Sequence, residues 1–303
     1  MTRHLLDIDD LTAEELGEVL DRCADPSPPP QVLAGRGVAL IFEKPSNRTR
    51  NSTEMAVVQL GGHPISLKPD EVDIGGRESA EDVARTLACY HSVIAARVFD
   101  HSILERMAAA VEIPVVNLLS DHSHPLQAIA DLLTIRAELG ELAGRTVTWV
   151  GDYSNVARSL GLAAAMVGMD LRFACPAGYD PPAADLARFV ELGAVGAEGD
   201  ADPKAVVDGA DVVVTDAWYS MGQEAEKAVR KPIFEPYRVD AALMAAAAPH
   251  AIFLHCLPAH RGEEVTDEVL DGPQSRVWPE ATNRLPAARG ALEWLVRRTW
   301  TEA

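Results

Sequence analysis

Basic residues are scarce in this chain. Lysine and arginine number 27 against 46 acidic residues, a formal charge of −19 over 303 residues. That balance disfavours general binding to nucleic acid or to an anionic membrane. Cysteines are few and scattered. Cys23, Cys89, Cys175 and Cys256 form no CxxC pair, so neither a disulfide framework nor a zinc ribbon is expected, and a reducing compartment suits them. No apolar run reaches the ~18 residues of a membrane helix; "AALMAAAAPHAIFL" is broken by Pro249 and His250. The opening "MTRHLLDIDDLTAEEL" has acids where a signal peptide needs an apolar core, so the chain is predicted to be soluble and cytoplasmic. GxGxxG, GxxxxGK[ST] and GxSxG are all missing. Dinucleotide and nucleoside-triphosphate readings therefore lack their phosphate loop, and a serine hydrolase lacks its elbow.

The rest is ordinary for a globular protein: 48% hydrophobic, 24% charged, 21 Gly and 20 Pro, in a length that suits about two domains of ~150 residues. "DLTAEELGEVLDRCAD" has helical spacing, with Thr12 and Glu15 as a capping box, and runs into the stiff connector "PSPPP". Beyond it, strand-like runs alternate with helical patterns. The strand candidates are "GVALIF", "HPISL", "SVIAARV" and "PVVNLL", then "TVTWVG", "DLRFAC", "AVGAE", "DVVVTDAW" and "AIFLHCL". Helical stretches between them include "NSTEMAVVQLGG", "PLQAIADLLTIRAELG" and "SNVARSLGLAAAMVGM". This alternation predicts an α/β protein: two open parallel-sheet α/β domains with helices on both faces, linked by helices. The turn-like "ELGELAGRT" marks the boundary, giving domains 1–138 and 139–303, the C-terminal helix packing back on the first. Ligands in such folds lie at the C-terminal ends of strands.

Four stretches sit at such ends, and each has two readings. "FEKPSNRTRNSTE" gathers Ser46, Asn47, Arg48, Thr49 and Arg50 between a strand and a helix. Free helix N–H groups and an arginine fork could hold phosphate there; the plainer reading is a capped helix start with solvated arginines. "SDHSHPLQAIADLL" offers His124 and Gln127 to polarise a carbonyl and orient a small planar group, or else a packed or capping histidine. His122 and His124 form an HxH pair, but no third ligand lies nearby, so no metal is expected. In "ADVVVTDAWYSMGQE", Asp216 could bind an ammonium or cap a helix. In "AIFLHCLPAHRGEEV", Cys256 is either a buried structural thiol or part of a site, and Pro258 forces a turn after Leu257.

In their order and spacing, "FEKPSNRTR", "HPLQ", "DAWYSMGQE" and "HCLPAHRGEEV" resemble the aspartate/ornithine carbamoyltransferase family, and the last two point to its ornithine branch. The resemblance runs from about residue 5 to 297. It implies that Ser46, Asn47, Arg48 and Thr49 hold the phosphate of carbamoyl phosphate. Arg97, His124 and Gln127 would hold the carbamoyl group, and Asn155, Asp216, Ser220 and Met221 the ornithine. Cys256, Leu257 and Pro258 would lie beside the reacting amine, and Arg284 would complete the site. The catalytic set so implied is Arg48, Arg97, His124 and Cys256. Implied too are catalytic trimers, neither cofactor nor metal, and a neighbour-supplied loop matching "KPDEVDIGGRES". The expected reaction carries the carbamoyl group to the δ-amine of L-ornithine, giving citrulline and phosphate. The alternatives are a different amine acceptor, such as lysine or a specialised-metabolite precursor, and a catalytically weak member.

Five departures from the family pattern bear on this. Asn47 stands for a usual Thr, and Asp73 for a usual Gln in the neighbour loop, where a carboxylate facing phosphate would cost affinity. "GDYSNVARSL" has lost a Gly and an Asn of the usual turn, keeping Asn155. Arg158 and Pro286 each replace a usual His. Three of the five fall on the amino-acid half, so they bear mainly on which acceptor is used.

Overall fold

Strands rich in Val, Ile, Leu and Ala, buried on both faces, can only be the middle of covered parallel sheets. The structure, a computed structural model, forms two such sheets and describes residues 2–200, 202–219 and 224–300. The chain divides into two compact units, residues 1–130 with 283–303, and residues 131–282.

The first unit carries β1 (Gly37–Phe42), β2 (His63–Leu67), β3 (Val93–Arg97) and β4 (Val115–Leu119) in the parallel order β2-β1-β3-β4. The helices Arg48–Gln59, Ala80–Ala88 and His101–Ala110 connect them. β3 is buried throughout, whereas the edge strand β2 is partly exposed along its length. Thr12 and Glu15 form the expected capping box at the start of the Ala13–Ala24 helix. Near the N-terminus Leu5 pairs with β4, its N–H donating to Val115 and its carbonyl accepting from Asn117.

The second unit carries β5 (Thr146–Val150), β6 (Asp170–Ala174), β7 (Ala197–Asp200), β8 (Val212–Thr215) and β9 (Ile252–His255), again all parallel, in the order β7-β6-β5-β8-β9. Ser154 caps the Asn155–Met166 helix, accepting from the Val156 and Ala157 N–H groups.

Two predicted elements start elsewhere, and the run "DVVVTDAW" is a strand only over Val212–Thr215. β7 starts at Ala197 rather than 194, because Gly193, at φ 110°, closes the preceding helix and Ala194 still donates to Phe189. The helix expected from residue 51 begins at Arg48, so Arg48, Thr49 and Arg50 form its first turn.

In each unit the strand order reverses once, and the reversal places the motifs. β1 and β3 are neighbours, with Phe42 opposite Arg97. The stretch after β1 and the arginine ending β3 therefore share the carboxyl end at the switch point. β5 and β8 are neighbours in the same way, with Val150 opposite Thr215, so the turn after β5 meets Asp216 after β8. Gly151 makes that turn at φ 121°; a Cβ there would sit 3.4 Å from Thr215 Oγ1, which itself donates to the Val150 carbonyl at 2.6 Å.

Candidate active site: a cationic cluster and an acidic cluster

In the first unit the site is built at the end of β1. Asn47 precedes the Arg48–Gln59 helix without forming a side-chain cap, so the orphan N–H groups of the first turn are not shielded by it. The Asn47 amide oxygen instead accepts from Asn51 Nδ2 at 3.1 Å. Thr49 is buried and Arg48 half-buried. A register shift between Ala96 and Arg97 re-aims the end of β3, as bulges do, and leaves Arg97 9% exposed.

His124 is placed by a tight loop. Asn117 Nδ2 donates to the carbonyls of Leu6 and Ser123, Ser123 Oγ donates to Asp7 at 2.7 Å, and Ser120 N donates back to Ser123. The His124 carbonyl then accepts from Gln127 and starts the Pro125–Leu139 helix, with Pro125 in the first-turn position that proline favours. The imidazole is 3% exposed. Burial first, and then the charges of Arg284, Arg97 and Arg48, hold its pKa well below 6.5, so at neutral pH the ring is uncharged. His122 points elsewhere, 3.6 Å from Asp7 and against the His101 ring, so the HxH pair does not converge.

Arg284 lies 235 positions from Thr49 in sequence yet donates to its hydroxyl at 3.0 Å. It also donates to the Gln127 side-chain amide oxygen, Oε1, and lies 3.5 Å from His124 Nε2. Thr49, His124, Gln127 and Arg284 are thus one buried cluster, with the Arg48 and Arg97 charges acting on it. Three guanidinium groups around a neutral imidazole and an amide suit an oxyanion carrying a planar carbonyl.

In the second unit the chemistry has the opposite sign. Cys256 Sγ donates to Asp216 Oδ1 at 3.2 Å. Burial, and then the Asp216 and Glu280 carboxylates, push the thiol pKa well up, so Cys256 is a neutral donor rather than a thiolate nucleophile. Leu257 follows in the left-handed region at φ 60°, joined to Pro258 by a cis peptide. A bulky residue there costs roughly 1–2 kcal/mol, so the surroundings must hold it. Asp216, His255 and Cys256 bring potential ligand atoms within 4.8 Å of one another, but His255 uses Nδ1 to accept from Leu257 N–H and Nε2 to meet Glu264. Asn155 opens the helix after β5. Ser220 and Met221 lie outside the described residues.

Two groups that sequence reasoning did not assign stand out. Arg230 is 8% exposed. It donates to Asp152 at 2.7 Å, to Glu226 at 2.7 Å and to the Trp218 carbonyl at 3.1 Å, and lies over the Tyr179 ring. Burial, more than any partner, sets the Asp152 pKa above its ordinary value. This network fastens the turn after β5 to the segment after β8. Its only trace in the sequence is Asp152 at a strand end. The second group is Glu264, inside the quoted "HCLPAHRGEEV" but given no role there.

Of the departures, Asp73 takes up a left-handed turn at φ 47°. Its carbonyl accepts from Gly76 and Arg77, and its carboxylate folds over Gly76. Arg158 pairs with Asp185 at 3.6 Å, and Asp185 also accepts from Tyr153. Pro286 lies inside the Val277–Trp300 helix, where its ring cannot donate to the Thr282 carbonyl.

Both halves of the chain match known family domains. Residues 3–137 match the model of the aspartate/ornithine carbamoyltransferase carbamoyl-P binding domain, and residues 143–295 that of the Asp/Orn binding domain. An ornithine carbamoyltransferase of Acidothermus cellulolyticus is 47% identical over 303 residues, covering 98% of this chain and 97% of the relative. That of a Parafrankia species is 46% identical over 308 residues, with the same coverage. The solved ornithine carbamoyltransferase of Pyrococcus furiosus superposes with a TM-score of 0.90 at 43% identity over 96% of each chain. With both domain models matched and relatives this similar over nearly their whole length, the chain belongs to the aspartate/ornithine carbamoyltransferase family.

Proposed function

We propose that this protein is an ornithine carbamoyltransferase, moving the carbamoyl group of carbamoyl phosphate to the δ-amine of L-ornithine to give citrulline and phosphate. The observation that carries the reading is the buried cluster of Arg284, Thr49, His124 and Gln127 under the charges of Arg48 and Arg97. Guanidinium groups at a helix start, beside a neutral imidazole and an amide, match the phosphate and the planar carbonyl of one small substrate.

Each residue's role follows from its chemistry. Ser46, Asn47, Arg48 and Thr49 bind the phosphate at the helix start. Arg97, Gln127, Arg284 and neutral His124 orient the carbamoyl carbonyl and stabilise the oxyanion that develops on it. Asp216, with Asn155, Ser220 and Met221, grips the α-amino end of the acceptor. Cys256 and Leu257 contact the reacting nitrogens. The amine lone pair forms a bond to the carbamoyl carbon; the C–O bond then breaks, and phosphate leaves with its electron pair as the nitrogen loses a proton. A free alkyl ammonium has a pKa near ~10, and a cationic surrounding lowers it, so no strong protein base is needed. Phosphate leaves readily, so positioning matters more than covalent catalysis. In this proposal residues 1–138, joined by Arg284 from the C-terminal helix, act as the donor domain and the remainder of 139–303 as the acceptor domain.

The family resemblance supports a homotrimer working in cytoplasmic arginine metabolism; no described helix is long and apolar enough to cross a membrane. The test is a colorimetric ureido assay with carbamoyl phosphate against ornithine, lysine, putrescine and N-acetylornithine. Turnover with ornithine alone is expected. Turnover with another amine instead would reassign the acceptor, and silence across the panel would overturn the proposal.

A further inference from the structure

The segment that follows Cys256 folds back on itself around one carboxylate. Glu264 and His255 are both fully buried. Glu264 Oε1 lies 3.2 Å from His255 Nε2 and also accepts from the His260 N–H. Its other oxygen, Oε2, is enclosed without a hydrogen-bond donor among the described residues and lies 3.5 Å from His260 Nδ1. A buried carboxylate costs stability unless its partners are held in place. Those partners lead to the left-handed turn. His255 Nδ1 accepts the Leu257 N–H at 2.9 Å, which leaves the ring proton on Nε2, where it faces Glu264.

We propose that Glu264 is a positioning residue for the acceptor half of the site. Its carboxylate holds His255 as the Nε2–H tautomer, whose Nδ1 accepts from the Leu257 amide, and so fixes the Cys256–Leu257 turn. The left-handed Leu257 needs such support, because the backbone alone disfavours it. The other tautomer would set an N–H against the Leu257 N–H and open the turn. The same segment also holds Tyr219. His260 stacks on Tyr219 at 4.9 Å, and Glu263 accepts from the Tyr219 hydroxyl at 2.8 Å and pairs with Lys227 at 2.9 Å. Through the His260 N–H, the Glu264 carboxylate is thus joined to the stretch that also holds Tyr219.

The inference rests on the proposed carbamoyl transfer, and its test separates the two. In Glu264→Leu, KM for the amine should rise about tenfold or more while KM for carbamoyl phosphate stays within about twofold. Glu264→Gln, whose amide oxygen can still accept from both His255 and His260, should recover the amine KM to within about threefold of wild type. Nitrogen-15 NMR of the wild-type His255 ring should report the Nε2–H tautomer, and Glu264→Leu should lose it. Wild-type amine KM in Glu264→Leu, an equal change in both KM values, or an Nδ1–H tautomer in the wild type would each overturn the relay. Should Glu264→Leu not fold, the wild-type tautomer and the Gln variant decide. If the wild type carbamoylates no amine, the proposed reaction fails while the tautomer still tests the relay.

Discussion

The two units meet charge in opposite ways. The first buries guanidinium groups around a neutral imidazole: Arg284 is 4% exposed, Arg97 9% and His124 3%. The second surrounds a neutral thiol with carboxylates, and even its buried Arg230 is matched by Asp152 and Glu226. Arg284 in the first is aimed at a hydroxyl, an amide oxygen and the imidazole, whereas Arg230 is held between two carboxylates. The contrast teaches that net charge says little about a site. A chain at −19 builds a cationic cluster because short, partly desolvated interactions are strong while exposed charges a Debye length away are screened.

The contrast can be broken most severely on its cationic side. Arg48→Ala should reduce kcat/KM by about a thousandfold or more with a near-unchanged far-ultraviolet circular dichroism spectrum; wild-type-like turnover would remove the anion role. On the other side, Arg230→Ala leaves half-buried Asp152 without its guanidinium partner and should lower stability by about 2 kcal/mol in urea unfolding. A loss below about 1 kcal/mol would mean that the pair is not holding the turn after β5.

Asp216→Asn keeps an acceptor for the Cys256 thiol but removes the charge. A fall of about ten- to a hundredfold in kcat/KM for the amine is expected, with carbamoyl phosphate binding by calorimetry unchanged; equal losses for both substrates would blur the division. Because the Cys256 thiol pKa is raised, iodoacetamide at pH 8 should label exposed Cys89 well before Cys256 in peptide mass spectra. Faster labelling of Cys256 would reveal a thiolate. The smallest effect concerns His124. Its folded pKa lies below 6.5, so the unfolded chain binds the extra proton first and stability falls as pH drops through about 6.5. Thermal unfolding between pH 7.5 and 5.5 should slope less in His124→Gln than in wild type.

Much of the architecture was legible because it depends on short-range pattern. β1 and β2 were bounded to the residue, and the Thr12–Glu15 capping box formed as read, because strand burial and capping involve residues only a few positions apart. The failures were also local. "AVGAE" looked strand-like from its apolar residues, but Gly193 was free to end the helix in a left-handed turn that keeps residue 194 tied back. The first turn over Arg48–Arg50 was missed because an arginine- and threonine-rich stretch carries little apolar period.

The sequence by itself determined the type of chemistry at each strand end: arginines and small polar groups after β1, a histidine–proline start after β4, a carboxylate after β8, a thiol after β9. Side-chain type and strand polarity are properties of the chain. Tertiary structure alone decided the partners. Arg284 meets Thr49 across 235 residues, Arg230 meets Asp152 across 78, and Glu264 takes the tautomer of His255 in hand. Such pairings follow from which strands lie side by side and which helices cover them, and that ordering is set by burying two sheets, not by any spacing along the chain.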